Sequence, residues 1–289
     1  MTQSSSRLRL SNHSRPTSPA HPNYPSIALL TDFGLRDHYA GVLHAVIAKI
    51  APQVPVIDIT HGIPPQDVTA AALTLAESWS YFPASTIFVA IVDPGVGTAR
   101  RAIAAETASG ARFVAPDNGL LALTLAAAGL KRAVALTSTR YRLPTLSATF
   151  HGRDLFAPAA AYLATGIPLM DLGSAVTDLV DLPLPKPRAD GDSLVGEIIY
   201  IDGYGNLITN LARSDCERLM ARFPNRELSV TIPDGSEVEL LRTYGEASEG
   251  ALLAVFGSFE RLEIAIRNAS AAKTLGARVG MQVRLHAQS

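Results

Sequence analysis

The 289-residue chain has one cysteine, Cys216, and one tryptophan. A lone thiol can neither close an intrachain disulfide nor build a cysteine-rich zinc site, so a reducing, cytoplasmic setting is expected. Net charge is also missing: 25 Lys and Arg against 26 Asp and Glu leave a formal charge of −1. Without a basic field, nucleic acid is not an expected partner. No apolar run approaches the roughly 18 residues of a membrane helix, so no membrane association is expected. The first 25 residues, MTQSSSRLRLSNHSRPTSPAHPNYP, lack the continuous apolar segment of a secretory signal. Rich in Ser and Pro, residues 1–25 read as a disordered tail.

What the chain does have is 47% hydrophobic residues, enough for a large core. From Ser26 the pattern alternates. SIALLTD, VPVIDI, TIFVAIVD, RAIAAET, RFVAP and RAVALT read as strands. Between them, helical spacing starts at His38, in DVTAAALTLAESWSYF with Asp67 as N-cap, in GLLALTLAAAGL and in RDLFAPAAAYLATG. Such alternation predicts an α/β domain with a mainly parallel sheet over 26–185, its ligands beyond the carboxyl ends of the strands. LPLPKPRADGDS reads as a linker. Beyond it, short strands with little helix predict a smaller C-terminal β-barrel-like domain over 193–289.

Polar residues gather where strands end. In TDFGLRD, Asp32 can accept both hydroxyls of a ribose diol, while Asp37 suits either a helix cap or a ligand contact. IVDPGVGTAR places Asp93 and Arg100 at either end of a glycine-bearing turn that lacks the Lys-Ser/Thr ending of a phosphate loop. The adjacent Arg101 reads as structural. TFHGRD puts Thr149 and His151 before a helix whose first-turn acid, Asp154, suits capping. His61, in DITHGIPPQD, is read as structural, with no metal site expected. In the second half, IDGYGNLITN sets Asp202 and Asn206 around a bend, and FGSFERLEIAIRN carries Ser258, Phe259 and Glu263. An Asn amide both donates and accepts, as an adenine edge requires.

Taken in order, TDFGLRD, VDPGVGTARR, FHGRDLFAP and IDGYGNLITN resemble the S-adenosyl-L-methionine hydroxide adenosyltransferases, relatives of the fluorinases and chlorinases, from about Ser26 to His286. The resemblance implies hydrolysis of S-adenosyl-L-methionine to adenosine and L-methionine, without metal or cofactor, in a homotrimer with sites between subunits. It implies that Asp93, Arg100 and His151 handle the attacking water, and that Asp32 binds ribose with Asp37 and Thr149 near the ligand. Asp202 would meet the methionine ammonium, Asn206 and Ser258 the adenine from the adjacent subunit, and Phe259 would stack. The halogenating relatives carry tyrosine in place of Asp93 and lack the histidine, so water rather than halide is the expected nucleophile. One departure is Gly257, where the family has asparagine before the serine.

An aspartate paired with arginine is a poor base. The expected division of labour therefore has Arg100 stabilising hydroxide, Asp93 orienting the water and His151 taking or relaying the proton. Two rival readings use the same residues: a chlorinase-like halogenase, and a non-catalytic module that binds S-adenosyl-L-methionine or adenosine.

Overall fold

The computed structural model describes residues 25–224, 226–232 and 234–287. The expected tail, Pro25 apart, lies outside them. The first sheet contains β1 (Ile27–Thr31), β2 (Val56–Thr60), β3 (Ile87–Ile91), β4 (Ala102–Thr107), β5 (Arg112–Pro116), β6 (Leu130–Ala135) and β7 (Ala175–Val176), in the order β2-β1-β3-β5-β4-β6-β7. Five strands run the same way; β4 and β7 oppose them, because β4 is antiparallel to both β5 and β6, and β7 to β6. Four helices cover it: α1 (Tyr39–Ile50), α2 (Val68–Ser78), α3 (Ala122–Ala128) and α4 (Ala157–Ala164).

The two-residue period of a strand sorts each side chain to one of two cores. Ile27, Leu29, Ile87, Val89 and Ile91 pack with α1 and α4. Ala28, Leu30, Phe88, Ala90 and Val92 face α2 and α3. Phe88 and Phe113 stack there at 4.8 Å, and complete burial of each such side chain contributes about 1.5–3 kcal/mol. Asp67 caps α2 as expected, accepting the Ala70 N–H at 2.8 Å.

The second sheet comprises β8 (Arg188–Asp190), β9 (Ser193–Ile201), β10 (Leu207–Ala212), β11 (Leu228–Thr231), β12 (Glu237–Leu241), β13 (Leu252–Phe256), β14 (Arg261–Ile266) and β15 (Gln282–Ala287). It runs β10-β14-β13-β12-β11-β15-β9-β8, and pairing of β9 with β10 closes seven strands into a barrel. Two features differ from expectation. The segment read as a linker contains β8, and a ten-residue helix, α5 (Arg213–Arg222), plus short α6 (Ala271–Leu275), interrupt the run of strands. Among the described residues no helix is long and apolar enough to cross a membrane.

Candidate active site

β3 delivers Asp93 two residues past its end, and the chain turns at once. Gly97 is required there: its φ is +78°, and a Cβ would stand 2.5 Å from the Ala148 carbonyl oxygen. This close approach brings the 147–151 segment against the turn. Arg100 closes the turn by donating from Nε to Asp93 Oδ1 at 2.8 Å and Oδ2 at 3.0 Å, and its Nη2 also pairs with Oδ2. The pair is nearly dry, with side chains 7% and 10% exposed. Arg100 also lies 5.3 Å from the Phe156 ring centre, a cation–π contact.

The same Nη2 lies 2.8 Å from His151 Nδ1. A guanidinium only donates, so Nδ1 is the acceptor and the imidazole proton resides on Nε2. Burial first, then the Arg100 charge, hold His151 below the ordinary histidine value, outweighing Asp93 and Asp154. The ring is therefore neutral at pH 7. Three residues from two loops form one connected set, but neither His151 nitrogen is a free proton acceptor, unlike the role expected from the sequence.

His151 is held by the helix it begins. Residues Gly152–Phe156 form a π-helical turn leading into α4. Pro158 has no N–H for the carbonyl four residues back, and that carbonyl, on Asp154, accepts from Leu143 N–H at 2.8 Å instead. The Asp154 side chain does not cap the helix. It accepts from Ser147 N–H at 2.7 Å and Arg153 Nε at 2.6 Å. Burial alone would push its carboxyl up, but those hydrogen bonds hold it below the usual range. Asp154 thus clamps the loop carrying Thr149 and His151.

Asp32 follows β1, and its Oδ2 accepts the Gln66 N–H at 2.8 Å. Asp37 is exposed just ahead of α1, whose N-cap position is His38 and which has no side-chain cap. Thr149 is exposed, its N–H donated to Ser147 Oγ at 3.2 Å. Arg101 points away, as expected, to Asp117 and Asp178.

The barrel residues assemble elsewhere. Asp202 Oδ1 accepts the N–H groups of Tyr204 at 2.9 Å and Asn206 at 2.8 Å, and Asn206 Nδ2 donates to Oδ2 at 2.9 Å. These bonds shape the β9–β10 bend and leave the Asn206 oxygen outside it. Asp202, Asn206, Ser258 and Phe259 all line a cavity of about 1220 Å³. None of Asp32, Asp37, Asp93, Arg100, Thr149 and His151 lines it. The expected site residues therefore fall into two groups within one chain.

Sequence reasoning missed Tyr204, Tyr244 and Glu77 in that cavity. Tyr204 had a visible signal, an aromatic between two glycines of the bend; Glu77 had none, because it reaches the barrel from the end of α2. The hydroxyl of Tyr244 donates to Glu263 at 2.6 Å. A Cβ at Gly257 would collide with the Glu263 carboxylate, so here the acid occupies the space of the side chain that asparagine would supply.

A mostly parallel α/β sheet followed by a seven-stranded barrel, with an Asp–Arg–His set at the ends of the sheet strands, defines the class. The chain belongs to the SAM hydroxide adenosyltransferase family: the family's N-terminal domain model matches residues 27–173 and its C-terminal domain model residues 196–284. It is similar to the (R)-S-adenosyl-L-methionine hydrolase of Salinispora tropica, at 42% identity over 91% of this chain and 98% of the relative. The enzyme of the same name from Thermus thermophilus is 41% identical over 90% of this chain and 98% of its own. A fluorinase from an Actinoplanes species is 32% identical over 69% and 76%. A crystal structure of an uncharacterized conserved protein from Thermotoga maritima superposes with a TM-score of 0.82 at 35% identity, covering 90% of this chain and 99% of that one.

Proposed function

We propose that this protein hydrolyses S-adenosyl-L-methionine to adenosine and L-methionine, with Asp93, Arg100 and His151 as the catalytic residues. The carrying observation is the bonded Asp93–Arg100–His151 set at the end of β3, at the carboxyl edge where α/β sheets bind ligands. Water oxygen forms a bond to ribose C5′ as the C5′–S bond breaks, and the bonding pair passes to sulfur, giving neutral methionine. The attacking water turns strongly acidic as its new C–O bond forms. A weak base therefore suffices, and the proton passes to an open lone pair of Asp93 and on to solvent. Arg100 has five N–H donors, of which its contacts to Asp93 and His151 use three; the two on Nη1 can hold the water oxygen in line for attack. His151 orients from Nε2–H. The sulfonium is itself the activated leaving group, so the reaction requires no cofactor.

The barrel cavity supplies the adenine and methionine contacts of Asp202, Asn206, Ser258 and Phe259, while Asp32, Asp37 and Thr149 hold the ribose side. Because one chain keeps these groups apart, we read the working unit as a homotrimer, cytoplasmic, with each site shared between subunits. The two similar hydrolases are named for the (R) form, so the proposed substrate is the (R) sulfur epimer. Incubation with each epimer in ¹⁸O-water tests the reaction: label should enter the adenosine 5′-oxygen, faster with (R). Unlabelled adenosine, or no turnover of either epimer, would defeat it.

A further inference from the structure

Away from the triad, the structure brings together three side chains that the sequence reading left unconnected. His44 lies in α1, Asp58 in the edge strand β2, and His61 in the turn after β2. His44 Nε2 stands 2.8 Å and His61 Nε2 3.1 Å from the same oxygen, Asp58 Oδ1, and the three ligand atoms lie within 4.8 Å of one another. We propose that His44, Asp58 and His61 form a binding site for a divalent transition cation of the zinc type.

His61 is the most buried of the three. Its side chain is 2% exposed, and its Nε2 is buried with no hydrogen-bond partner, since the nearby Asp58 oxygen is poorly aligned with the ring N–H direction. A buried imidazole nitrogen left unsatisfied beside a carboxylate and a second imidazole is a candidate ligand atom. The other nitrogen, Nδ1, lies 2.8 Å from Thr31 Oγ1, the outer hydrogen bond that orients metal-binding histidines. Two ligands at about 2.05 Å from a tetrahedral ion stand roughly 3.3 Å apart, so the 2.8 and 3.1 Å separations need to open slightly, while the two imidazole nitrogens, within 4.8 Å of each other, settle to that spacing around the ion. Two imidazoles and one carboxylate suit zinc and its first-row neighbours rather than calcium or magnesium. His44 and Asp58, 38% and 43% exposed, open the outer side to water for the remaining coordination positions.

The ion would be structural. It would tie α1 and β2 to the end of β1 through Thr31. The His61 carbonyl accepts from Gly34 N–H at 2.7 Å, and Gln66, five residues on, holds Asp32. Occupancy therefore stiffens the two loops that position the proposed ribose-binding aspartate.

The test uses the full chain after chelator treatment, with zinc chloride as probe, following bound zinc by equilibrium dialysis and unfolding by calorimetry. Wild type should take up zinc at this site and melt higher with it. His44→Ala, at a half-buried position, and Asp58→Asn, at an exposed one, should each weaken binding by at least about tenfold and lose the thermal shift. His13 and His21 in the N-terminal tail are common to all variants and cancel in the comparison. Equal zinc uptake by wild type and either variant, or none by wild type, would overturn the site.

Discussion

The two halves of the molecule treat their carboxylates in opposite ways. Beneath the sheet, each buried acid has a cation in hand: Asp93 has Arg100, Asp154 has Arg153, and Glu106 has Lys131 and Arg132. Burial pushes the Glu106 carboxyl up, yet those two cations hold it below the usual range. In the barrel cavity the balance tips the other way. Burial raises Glu77 to about 7 and also raises Glu263, and the Tyr244 phenol is pushed up by burial and by its bond to Glu263. The cavity's Arg242 and Arg267 are committed to Glu246 and to the carbonyls of Gly245 and Ala247. Charge in the sheet half is consumed internally and fixes geometry, whereas in the cavity Glu77 has Arg261 only at 3.6 Å and Glu263 is held by a phenol, so both are acids that a cationic ligand such as a sulfonium can draw into the ionised form.

That contrast predicts two dissimilar half-sites that become active only when joined. His151→Ala is the cleanest way to disable the sheet half, because Arg100→Ala would strand the nearly buried Asp93 charge at a cost of about 3–5 kcal/mol and confuse catalysis with unfolding. Turnover of His151→Ala should fall at least about 100-fold while substrate binding persists. Ser258→Trp should disable the barrel half by filling the cavity. If the protein is the proposed trimer with sites between subunits, randomly mixed trimers of the two inactive variants recover about a quarter of wild-type activity, because a head-to-tail ring pairs intact halves at that frequency. Zero recovery, with mixing verified by mass, would place the whole site within one chain.

A smaller effect separates the halves by pH. His151 accepts from Arg100 only when neutral, and its pKa is depressed, so the interaction is fully present above 6.5 and is lost as pH falls through the lower folded value. The profile of kcat/KM should be flat from about pH 7 and should fall on the acid side, with an apparent pKa below 6.5. His151→Gln offers a side-chain carbonyl in place of Nδ1 and does not titrate, so it should keep some activity and lose that limb. An unchanged limb in the variant would assign the titration to another group.

Much of the sheet half was legible because its physics is local. Short continuous apolar runs in IALLT and IFVAI encode strands buried on both faces, Asp67 marks a helix start, and the glycines of IVDPGVGTAR announce a turn. Strand direction is not local, and nothing in RAIAAET reveals that β4 runs against β5. Helix α5 escaped notice because RSDCERLMAR buries only Cys216 and Leu219, too narrow a stripe to stand out. Its start did have a signal, Asp215 accepting the Ala212 N–H at 2.9 Å, the third-position acid of a helix start. At the site, residue types were readable from motifs, but the direction of the Arg100–His151 bond, which fixes the histidine proton, needed coordinates. The separation of the triad from the cavity is likewise a property of the assembled chain.

Glu77 gives the mildest and most specific probe of the cavity side. It lies 3.6 Å from Arg261 Nε, and burial outweighs this partner, with Glu263 adding repulsion. A raised folded pKa means that the protonated form is favoured by folding. The stability it contributes is complete below the ordinary 4.5 and is lost as pH rises through about 7. Glu77→Gln keeps the shape and removes the titration, so the variant should match wild type at pH 4.5 and melt higher by a few degrees at pH 8. Calorimetry at the two pH values reads this directly. Should the variant instead melt lower at pH 8, the ionised Glu77–Arg261 pair would be net stabilising, and the cavity would be as fully compensated as the sheet.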